Sequence, residues 1–512
     1  MAERIAELRE RRAKVEAGGG QERHDKQHEQ GKLTARERID FLMDPGTFEE
    51  IGLMAEHRTT MFGMDKATLP ADGCITGTGA VLGRNVHVAA QDFSVAGGSA
   101  GEMHLTKMAS TCHEAMISGT PFVCINDSGG ARVQEGVDSL TGYGKVFYQN
   151  VNASGVVPQV TIVAGPTAGG AVYSPALTDF IIQTRAARMF ITGPDVIRSV
   201  TGEVISAEAL GGPDAHMAAS GVIDFIAESD EEALLICKKL LSFLPSNNSE
   251  EAPWVEGNDD VEPNEYLNTV VPDDPRKGFD VRDAIRAIVD LGDFLELKEG
   301  FAKNIVIGFG RITGVVVGFI ANQPSHLSGV LDINASDKGA RFIRFCNAFN
   351  IPLVTMVDVP GFLPGSSQEH AGIIRHGAKM LFAYSAATVP KITIEMRKAY
   401  GGGYIAMCSR ELGADRVFAW PTAEIAVMGA EGAANIVFRR EISGADDPEA
   451  KRTELVNLYR DAFSNPYVAA SRGQVDAVIE PAETRLYIAR ALDVLGGKRE
   501  LRPAKKHGLI PL

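Results

Sequence analysis

The chain repeats itself, and this internal repeat constrains its fold more than any other feature. Two apolar runs, at residues 157–162 and 389–394, have similar sequences. Further landmarks earlier in each half keep nearly the same spacing, an offset of 231 residues. The matched pairs are Gly98 and Gly329, Lys107 and Lys338, and Asp127 and Asp358. A repeat of this length predicts two copies of one domain rather than a solenoid of short units.

Each copy consists of short β-branched runs that alternate with longer helix-forming segments. This alternation predicts crossover connections and an α/β fold. A polar, proline-rich stretch at residues 246–277 has the composition of a surface connection between domains. Residues 7–16 are charged and strongly helix-forming. We therefore predict a helical arm at residues 1–45, a first domain at 46–262 and a second domain at 263–512.

Composition excludes several classes of protein. The formal net charge of -15 argues against a general nucleic-acid surface, which is usually basic. No run of 18 apolar residues occurs, so we expect no membrane insertion. The first 16 residues are charged and unlike a signal peptide, which predicts a cytoplasmic protein. The six cysteines form no C-x-x-C pair, and we expect no metal site.

Two glycine pairs, Gly169-Gly170 and Gly402-Gly403, carry the sharpest chemical signal. Each follows an apolar strand and precedes a helix-like run, which extends over residues 171–182 in the first half. The first N–H groups of a helix have no partner within it, and the helix dipole makes that end positive. Such a turn stabilises an anion, whether a phosphate or an enolate oxygen. The chain has no G-x-x-x-x-G-K-[ST] motif, which argues against a nucleotide loop.

The side chains near these turns offer no general base. After Gly170 the first acid is Asp179, and the four residues that follow Gly403 include none. A hydratase or isomerase needs a carboxylate close to its oxyanion hole. The turns therefore suit chemistry in which a cofactor supplies the base, although glycines used only for tight packing remain an alternative. Arg132 is interpreted either as a phosphate ligand or as an ordinary surface side chain.

Several ordered blocks of the sequence resemble the carboxyltransferase (β) subunits of biotin-dependent acyl-CoA carboxylases. Within that family the likeness is greatest to the methylmalonyl-CoA carboxyltransferase and propionyl-CoA carboxylase branches. The resemblance extends over nearly the whole chain. The blocks are residues 31–38, 125–135, 165–179, 190–202, 357–365, 419–433 and 505–508.

The resemblance implies two tandem crotonase-like domains (the ClpP/crotonase superfold) and a ring-shaped homohexamer, a trimer of dimers. The first domain would hold acyl-CoA, and the second domain of a neighbouring subunit would hold biotin. Many relatives have alanine where this chain has Gly403, which leaves the backbone N–H in place. The implied site residues are Gly169 and Gly170 facing the thioester oxygen, Gly402 and Gly403 facing the ureido oxygen of biotin, Ile405 lining the pocket for the acyl group and biotin, and Gly129, Gly130 and Ala131 binding acyl-CoA.

The implied reaction transfers a carboxyl group between carboxybiotin and a short-chain acyl-CoA such as propionyl-CoA, through enolates stabilised by backbone oxyanion holes. Because the chain contains no biotin-attachment motif, the biotin would sit on a separate carrier protein. A biotin carboxylase subunit or a keto-acid carboxyltransferase subunit would complete the enzyme. The alternatives are a methylmalonyl-CoA decarboxylase component, a crotonase-type hydratase or isomerase, and a non-catalytic scaffold that binds the biotin carrier.

Overall fold

Each half of the chain folds around one mixed β-sheet, as the repeat predicts. The structure is a computed structural model that describes residues 1–256, 260–272, 274 and 277–512. It separates into two compact units, Met1–Glu250 and Glu251–Leu512. Residues 257–259, 273, 275 and 276, which belong to the predicted connection, lie outside the described residues. The domain limits given above remain a prediction.

The first unit alternates strands and helices in the order that the sequence pattern indicates. Its helices are α1 (Ala2–Glu16), α2 (Gln21–Glu29), α3 (Ala35–Leu42), α4 (Glu102–Ser118), α5 (Val137–Ala153), α6 (Tyr173–Leu177), α7 (Pro194–Thr201), α8 (Ala207–Gly211), α9 (Pro213–Ala215) and α10 (Asp230–Phe243). Its strands are β1 (Glu49–Ile51), β2 (Cys74–Val81), β3 (Arg84–Gln91), β4 (Phe122–Ser128), β5 (Gln159–Ala168), β6 (Phe180–Thr184), β7 (Arg188–Phe190) and β8 (Phe225–Ala227).

The second unit repeats this order and adds helices after its last long strand. Its helices are α11 (Val281–Ile288), α12 (Ile333–Ala348), α13 (Ser366–Ala371), α14 (Ile373–Ala386), α15 (Gly401–Ala406), α16 (Ala430–Val437), α17 (Arg439–Ser443), α18 (Pro448–Phe463), α19 (Pro466–Ser471) and α20 (Thr484–Leu495). Its strands are β9 (Leu295–Leu297), β10 (Ile305–Ile312), β11 (Val315–Asn322), β12 (Leu353–Val359), β13 (Lys391–Tyr400), β14 (Arg416–Ala419), β15 (Glu424–Ala426) and β16 (Ala477–Val478).

The two sheets have the same topology. The strand orders are β1-β2-β3-β4-β5-β6-β8, with β7 beside β5, and β9-β10-β11-β12-β13-β14-β16, with β15 beside β13. In each sheet the antiparallel pairs come first, and the later strands are parallel. Both hairpins turn on two residues with positive φ, Leu82-Gly83 and Thr313-Gly314. Such turns match the natural twist of paired strands, and the same type of hairpin therefore occurs in both units.

The landmarks of the repeat have structural roles that are the same in both units. Lys107 Nζ donates to the carbonyl oxygen of Cys74, the first residue of β2. Lys338 Nζ donates, at 2.8 Å, to the carbonyl oxygen of Ile305, the first residue of β10. Burial lowers the pKa of Lys338 to about 7. The matched lysines therefore close the start of each hairpin and take no part in the glycine turns.

The predicted helix at residues 171–182 is wrong in its second half. A 3₁₀ turn spans Gly169–Val172 and is followed by the short helix α6. Residues 180–182 belong instead to β6, which pairs in parallel with β5. A short, continuous apolar run fits either a buried helix or a buried strand, and here pairing with β5 on one side and β8 on the other makes it a strand.

The predicted arm at residues 1–45 contains two different kinds of helix. No residue of α1 is buried. By contrast, α3 buries Ala35, Ile39 and Leu42, and its N-terminus carries a capping box between Thr34 and Glu37. The charged side chain of Arg38 is also buried. The segment around α3 is thus part of the first unit's packing.

The structure describes the apolar helices and the cysteines that the composition contains. Within the described parts of the chain, no helix is both long and apolar enough to cross a membrane. All six cysteines are buried free thiols. Burial raises the pKa of Cys112 to about 12, which keeps that thiol protonated and unreactive.

Candidate active site

Each unit ends its longest strand in a glycine turn with left-handed backbone. Gly169, directly after β5, has φ +64°, and Gly401, directly after β13, has φ +57°. Residues with a Cβ are strained in this conformation, so both positions favour glycine. A helical turn begins at each of these glycines. The N–H groups at the start of each turn are therefore available to a ligand.

The structure aligns the two glycine turns differently, by one residue, from the pairing of Gly169-Gly170 with Gly402-Gly403 in the sequence. The strand pairing matches Val163 with Glu395, an offset of 232 residues, since each lies beside the equivalent residue of the preceding strand. If this offset is continued through the turn, Gly401 is the equivalent of Gly169 and Gly402 is the equivalent of Gly170. Gly403, which the sequence comparison matched with Gly170, corresponds to Ala171.

The second glycine of each turn faces an aromatic ring. A Cβ added to Gly170 would lie 3.6 Å from the ring of Tyr143, and one added to Gly402 would lie 3.8 Å from the ring of Phe362. A Cβ at Gly403 would lie 2.9 Å from the Cα of Gly361, so this loop approaches the turn closely. Burial raises the pKa of Tyr143, and the phenol can serve only as a neutral group.

An extended loop after the neighbouring strand presents a further amide beside the first turn. Ala100 N donates to Gly130 O at 2.8 Å, and Arg132 N donates to Ala100 O at 2.9 Å. Since successive N–H groups of an extended chain point to opposite edges, the amide of Ala131 points toward β5 and its glycine turn. A Cβ on Gly130 would lie 3.1 Å from the carbonyl oxygen of Ala168, the last residue of β5. The predicted substrate residues Gly130 and Ala131 thus lie next to the first turn.

The second unit repeats this arrangement at a loop that the sequence reasoning did not assign to a site. Leu331 N donates to Gly361 O at 3.0 Å, and Leu363 N donates to Leu331 O at 2.8 Å. The amide of Phe362, between them, therefore points toward β13 and the turn at Gly402. The signal in the sequence is the offset of 231, which relates Ala131 to Phe362. Each unit accordingly combines a glycine turn with one strand-like amide, an arrangement that can stabilise a negatively charged oxygen.

The carboxylates that end β4 and β12 are neutralised by buried cations. Asp127 lies 2.6 Å from Lys32 Nζ and 2.9 Å from Arg38 Nη1. Asp358 lies 2.7 Å from Arg397 Nη2. Burial raises the pKa of Asp358, and the arginine opposes that shift. These two acids are committed to ion pairs and are poor candidates for a general base.

Two other side chains near the turns were missed or misread from the sequence. Arg132 is buried against Asp72 and Glu135, so both interpretations of it, phosphate ligand and surface side chain, are wrong. Glu395, on β13, is buried, and within the described residues its carboxylate has no hydrogen-bond partner. Burial raises its pKa well above the ordinary value of a glutamate, which favours the neutral acid. Neither the ion pairs of Arg132 nor the burial of Glu395 could be predicted from local sequence.

Ile405 lies on α15, two residues after Gly403. Ile405 is 44% exposed. A residue that lines a ligand pocket must be accessible, so this exposure is compatible with the predicted role. Tyr404, between them, is turned inward, and burial raises the pKa of its phenol. The start of α15 therefore offers backbone amides, and Ile405, later in the same helix, exposes one aliphatic side chain.

Comparison with known proteins identifies relatives over the full length of the chain. The family model of the carboxyl transferase domain matches residues 26–510. The methylmalonyl-CoA carboxyltransferase 12S subunit of Propionibacterium freudenreichii subsp. shermanii is 63% identical over 511 residues, covering 100% of this chain and 98% of that protein. The propionyl-CoA carboxylase carboxyltransferase subunit of Haloferax mediterranei is 55% identical over 514 residues, covering 100% of both.

A solved structure shares the fold. The crystal structure of transcarboxylase 12S, a hexamer assembly with methylmalonyl-CoA and methylmalonic acid bound, has a TM-score of 0.98 and 63% sequence identity. The similarity covers 100% of this chain and 98% of that chain. It confirms the predicted fold class, two tandem α/β domains of the crotonase-like type.

Proposed function

The chain belongs to the carboxyl transferase family, and we propose that it transfers a carboxyl group between carboxybiotin on a separate carrier protein and a short-chain acyl-CoA. It is an acyl-CoA carboxyltransferase, as its likeness to methylmalonyl-CoA carboxyltransferase and propionyl-CoA carboxylase subunits establishes. The proposal concerns the use of biotin, the residues that act and the acyl chain. The observation that carries it is the duplication, in two units, of one backbone arrangement suited to an oxyanion.

At the first site the amides of Gly169, Gly170 and Ala131 would face the thioester oxygen of the acyl-CoA. When the α-carbon of the thioester loses a proton, negative charge develops on that oxygen, and preorganised N–H donors stabilise it. Removing one such donor typically lowers kcat by about 10²–10³-fold. Asp127 and Glu135, the acids nearest the loop in sequence, are held in ion pairs. The protein's part is to position and polarise the thioester.

At the second site the amides of Gly402, Gly403 and Phe362 would face the ureido oxygen of biotin. The donor set fits this neutral carbonyl, because it consists of backbone N–H groups at a helix start and contains no charged side chain. Biotin supplies the transferable carboxyl group and, after giving it up, a nitrogen that can accept the substrate's α-proton. The turn holds the ring in place and favours electron density on its carbonyl oxygen.

Ile405 supports a short acyl chain because it is aliphatic and exposed, two residues after Gly403 on the same helix. Acetyl, propionyl and butyryl thioesters are the substrates to compare. We expect the propionyl and methylmalonyl pair to react fastest. A strong preference for a long acyl chain would contradict this assignment.

The assembly and the remaining components are proposed by analogy with the family. We propose a homohexamer built as a trimer of dimers, which sedimentation of the purified protein would test. A biotin carboxyl carrier protein and either a biotin carboxylase or a keto-acid carboxyltransferase subunit would complete the enzyme. A cytoplasmic location remains a prediction from the sequence.

The direct test is incubation of the purified chain with methylmalonyl-CoA and free biotin, with propionyl-CoA release measured by chromatography. We expect release that depends on biotin. Release without biotin would favour simple decarboxylation of the thioester over carboxyl transfer. If methylmalonyl-CoA binds and nothing is released, the acyl chain or the biotin site is assigned wrongly, and malonyl-CoA is the next substrate to test.

A further inference from the structure

The loop that carries Ala131 is fastened by a buried cluster of three charges, Asp72, Arg132 and Glu135. Arg132 Nη1 contacts Asp72 Oδ1 and lies 2.7 Å from Glu135 Oε1. Its Nη2 donates to the carbonyl oxygen of Ser99 at 2.8 Å. The exposed fractions of Asp72, Arg132 and Glu135 are 0%, 2% and 8%. One guanidinium thus joins three separate chain segments, which an ammonium group could not do with the same geometry.

Both acids of the cluster also cap the helix that follows the first hairpin. Glu135 Oε2 accepts from the backbone N–H of Glu102 at 2.6 Å, and Asp72 Oδ2 accepts from that of His104 at 2.8 Å. These amides are in the first turn of α4, whose N-cap residue Gly101 makes no side-chain cap of its own. The cluster therefore ties the donor loop to the N-terminus of a 17-residue helix.

Arg132 directly follows Ala131, the residue whose amide points toward the first glycine turn. Its own backbone N–H bonds Ala100, and its side chain holds the next turn through Glu135. A displacement of about 1 Å at such a donor can cost about 10²-fold in rate. We propose that Arg132 is a positioning residue that fixes the Ala131 amide of the first site through Asp72 and Glu135; this rests on the proposed function.

The second unit lacks this device. The residue equivalent to Arg132 at the offset of 231 is Leu363, and its backbone alone bonds the neighbouring segment. The residue equivalent to Glu135 is Ser366. The cluster is therefore specific to the donor loop assigned to acyl-CoA and is not a general requirement of the fold.

The variant Arg132→Lys keeps the charge, so it avoids stranding two buried carboxylates, but it cannot span the three partners. Arg485→Lys is the matched control. Arg485 also has a buried guanidinium that joins Asp290 at 2.6 Å to the carbonyl oxygen of Ile288 at 2.6 Å, and it lies in the other unit, away from the glycine turns in sequence. Both variants lose the same kind of buried fork.

The experiment measures three quantities on the full-length protein: kcat for biotin-dependent propionyl-CoA release, the Kd of propionyl-CoA, and the infrared carbonyl stretch of bound thioester labelled with ¹³C. For Arg132→Lys we expect kcat to fall about 10²-fold, the Kd to change less than threefold, and the carbonyl shift on binding to shrink. Arg485→Lys should keep kcat and the carbonyl shift.

Two results with the variants would overturn the inference. One is an Arg132→Lys variant with a lower melting temperature and an unchanged kcat and carbonyl shift. The other is an equal loss of kcat in Arg485→Lys. If the wild-type protein binds propionyl-CoA but turns nothing over, the proposed function fails while the infrared comparison still decides this inference. If the wild-type protein shows no carbonyl shift, there is no donor to position and the inference fails too.

Discussion

Asp127 and Asp358 occupy equivalent positions in the two units, yet their counter-charges come from different parts of the chain. Asp358 is paired with Arg397, from the adjacent strand β13. The residue equivalent to Arg397 in β5 is Gly165, and a Cβ there would lie 1.9 Å from Asp127 Oδ1. Lys32 and Arg38, from the N-terminal segment, pair with Asp127 instead. A duplicated fold has thus kept a buried acid and replaced the source of its partner, with a glycine leaving the space.

The largest effects are expected from removing these cations. Arg397→Met would leave Asp358 buried without its paired cation, which typically costs about 3–5 kcal/mol. Lys32→Met should cost less, since Asp127 would still lie 2.9 Å from Arg38. Thermal denaturation of the two variants would measure the difference. Equal losses would mean that the two acids are neutralised in the same way.

Opposite pH dependences should follow from two buried groups that have no counterpart across the repeat. Burial lowers the pKa of His104 to about 3, so acidification below about pH 6.5 protonates the unfolded chain first and stability falls. Burial raises the pKa of Glu395, so stability falls as pH rises above about 4.5 toward its folded pKa. Each slope approaches about 1.4 kcal/mol per pH unit within its window.

The variant Glu395→Val tests this claim, because the equivalent residue of β5 is Val163, which is buried. It should remove the loss of stability with rising pH and raise the melting temperature at neutral pH. Denaturation from pH 5 to 8 would show the change in slope against the wild-type protein. A lower melting temperature across that range would indicate that the carboxyl group has a stabilising partner.

A smaller difference in stability is expected between alanine substitutions at the two glycines with left-handed backbone, Gly169 and Gly401. Gly169→Ala costs about 1–2 kcal/mol from backbone strain alone, because no atom would contact the new Cβ within 4 Å. Gly401→Ala adds a contact of 2.9 Å with the carbonyl oxygen of Val427. We expect it to lower both the melting temperature and kcat by more than Gly169→Ala does. The reverse order would contradict the claim that crowding by Val427 makes the second position the less tolerant one.

The sequence predicted the duplication, the α/β class and the two glycine turns, because each depends on local pattern. It aligned the glycines of the second turn one residue late against those of the first, since glycines in a row cannot show which of them has positive φ. It also missed the contacts of Arg132 and Arg38, whose partners Asp72 and Asp127 lie 60 and 89 residues away. Distant ion pairs leave no periodic signal, so only the folded chain reveals them.

The central claim is that the two equivalent turns serve two different carbonyl groups. A crystal structure of the protein with propionyl-CoA and biotin bound would test it most directly. We expect the thioester oxygen to lie within about 2.7–3.1 Å of the amides of Gly170 and Ala131, and the ureido oxygen at the same distance from those of Gly402 and Phe362. A thioester oxygen bound at the turn of the second unit, or an oxygen bonded only to side chains, would contradict it.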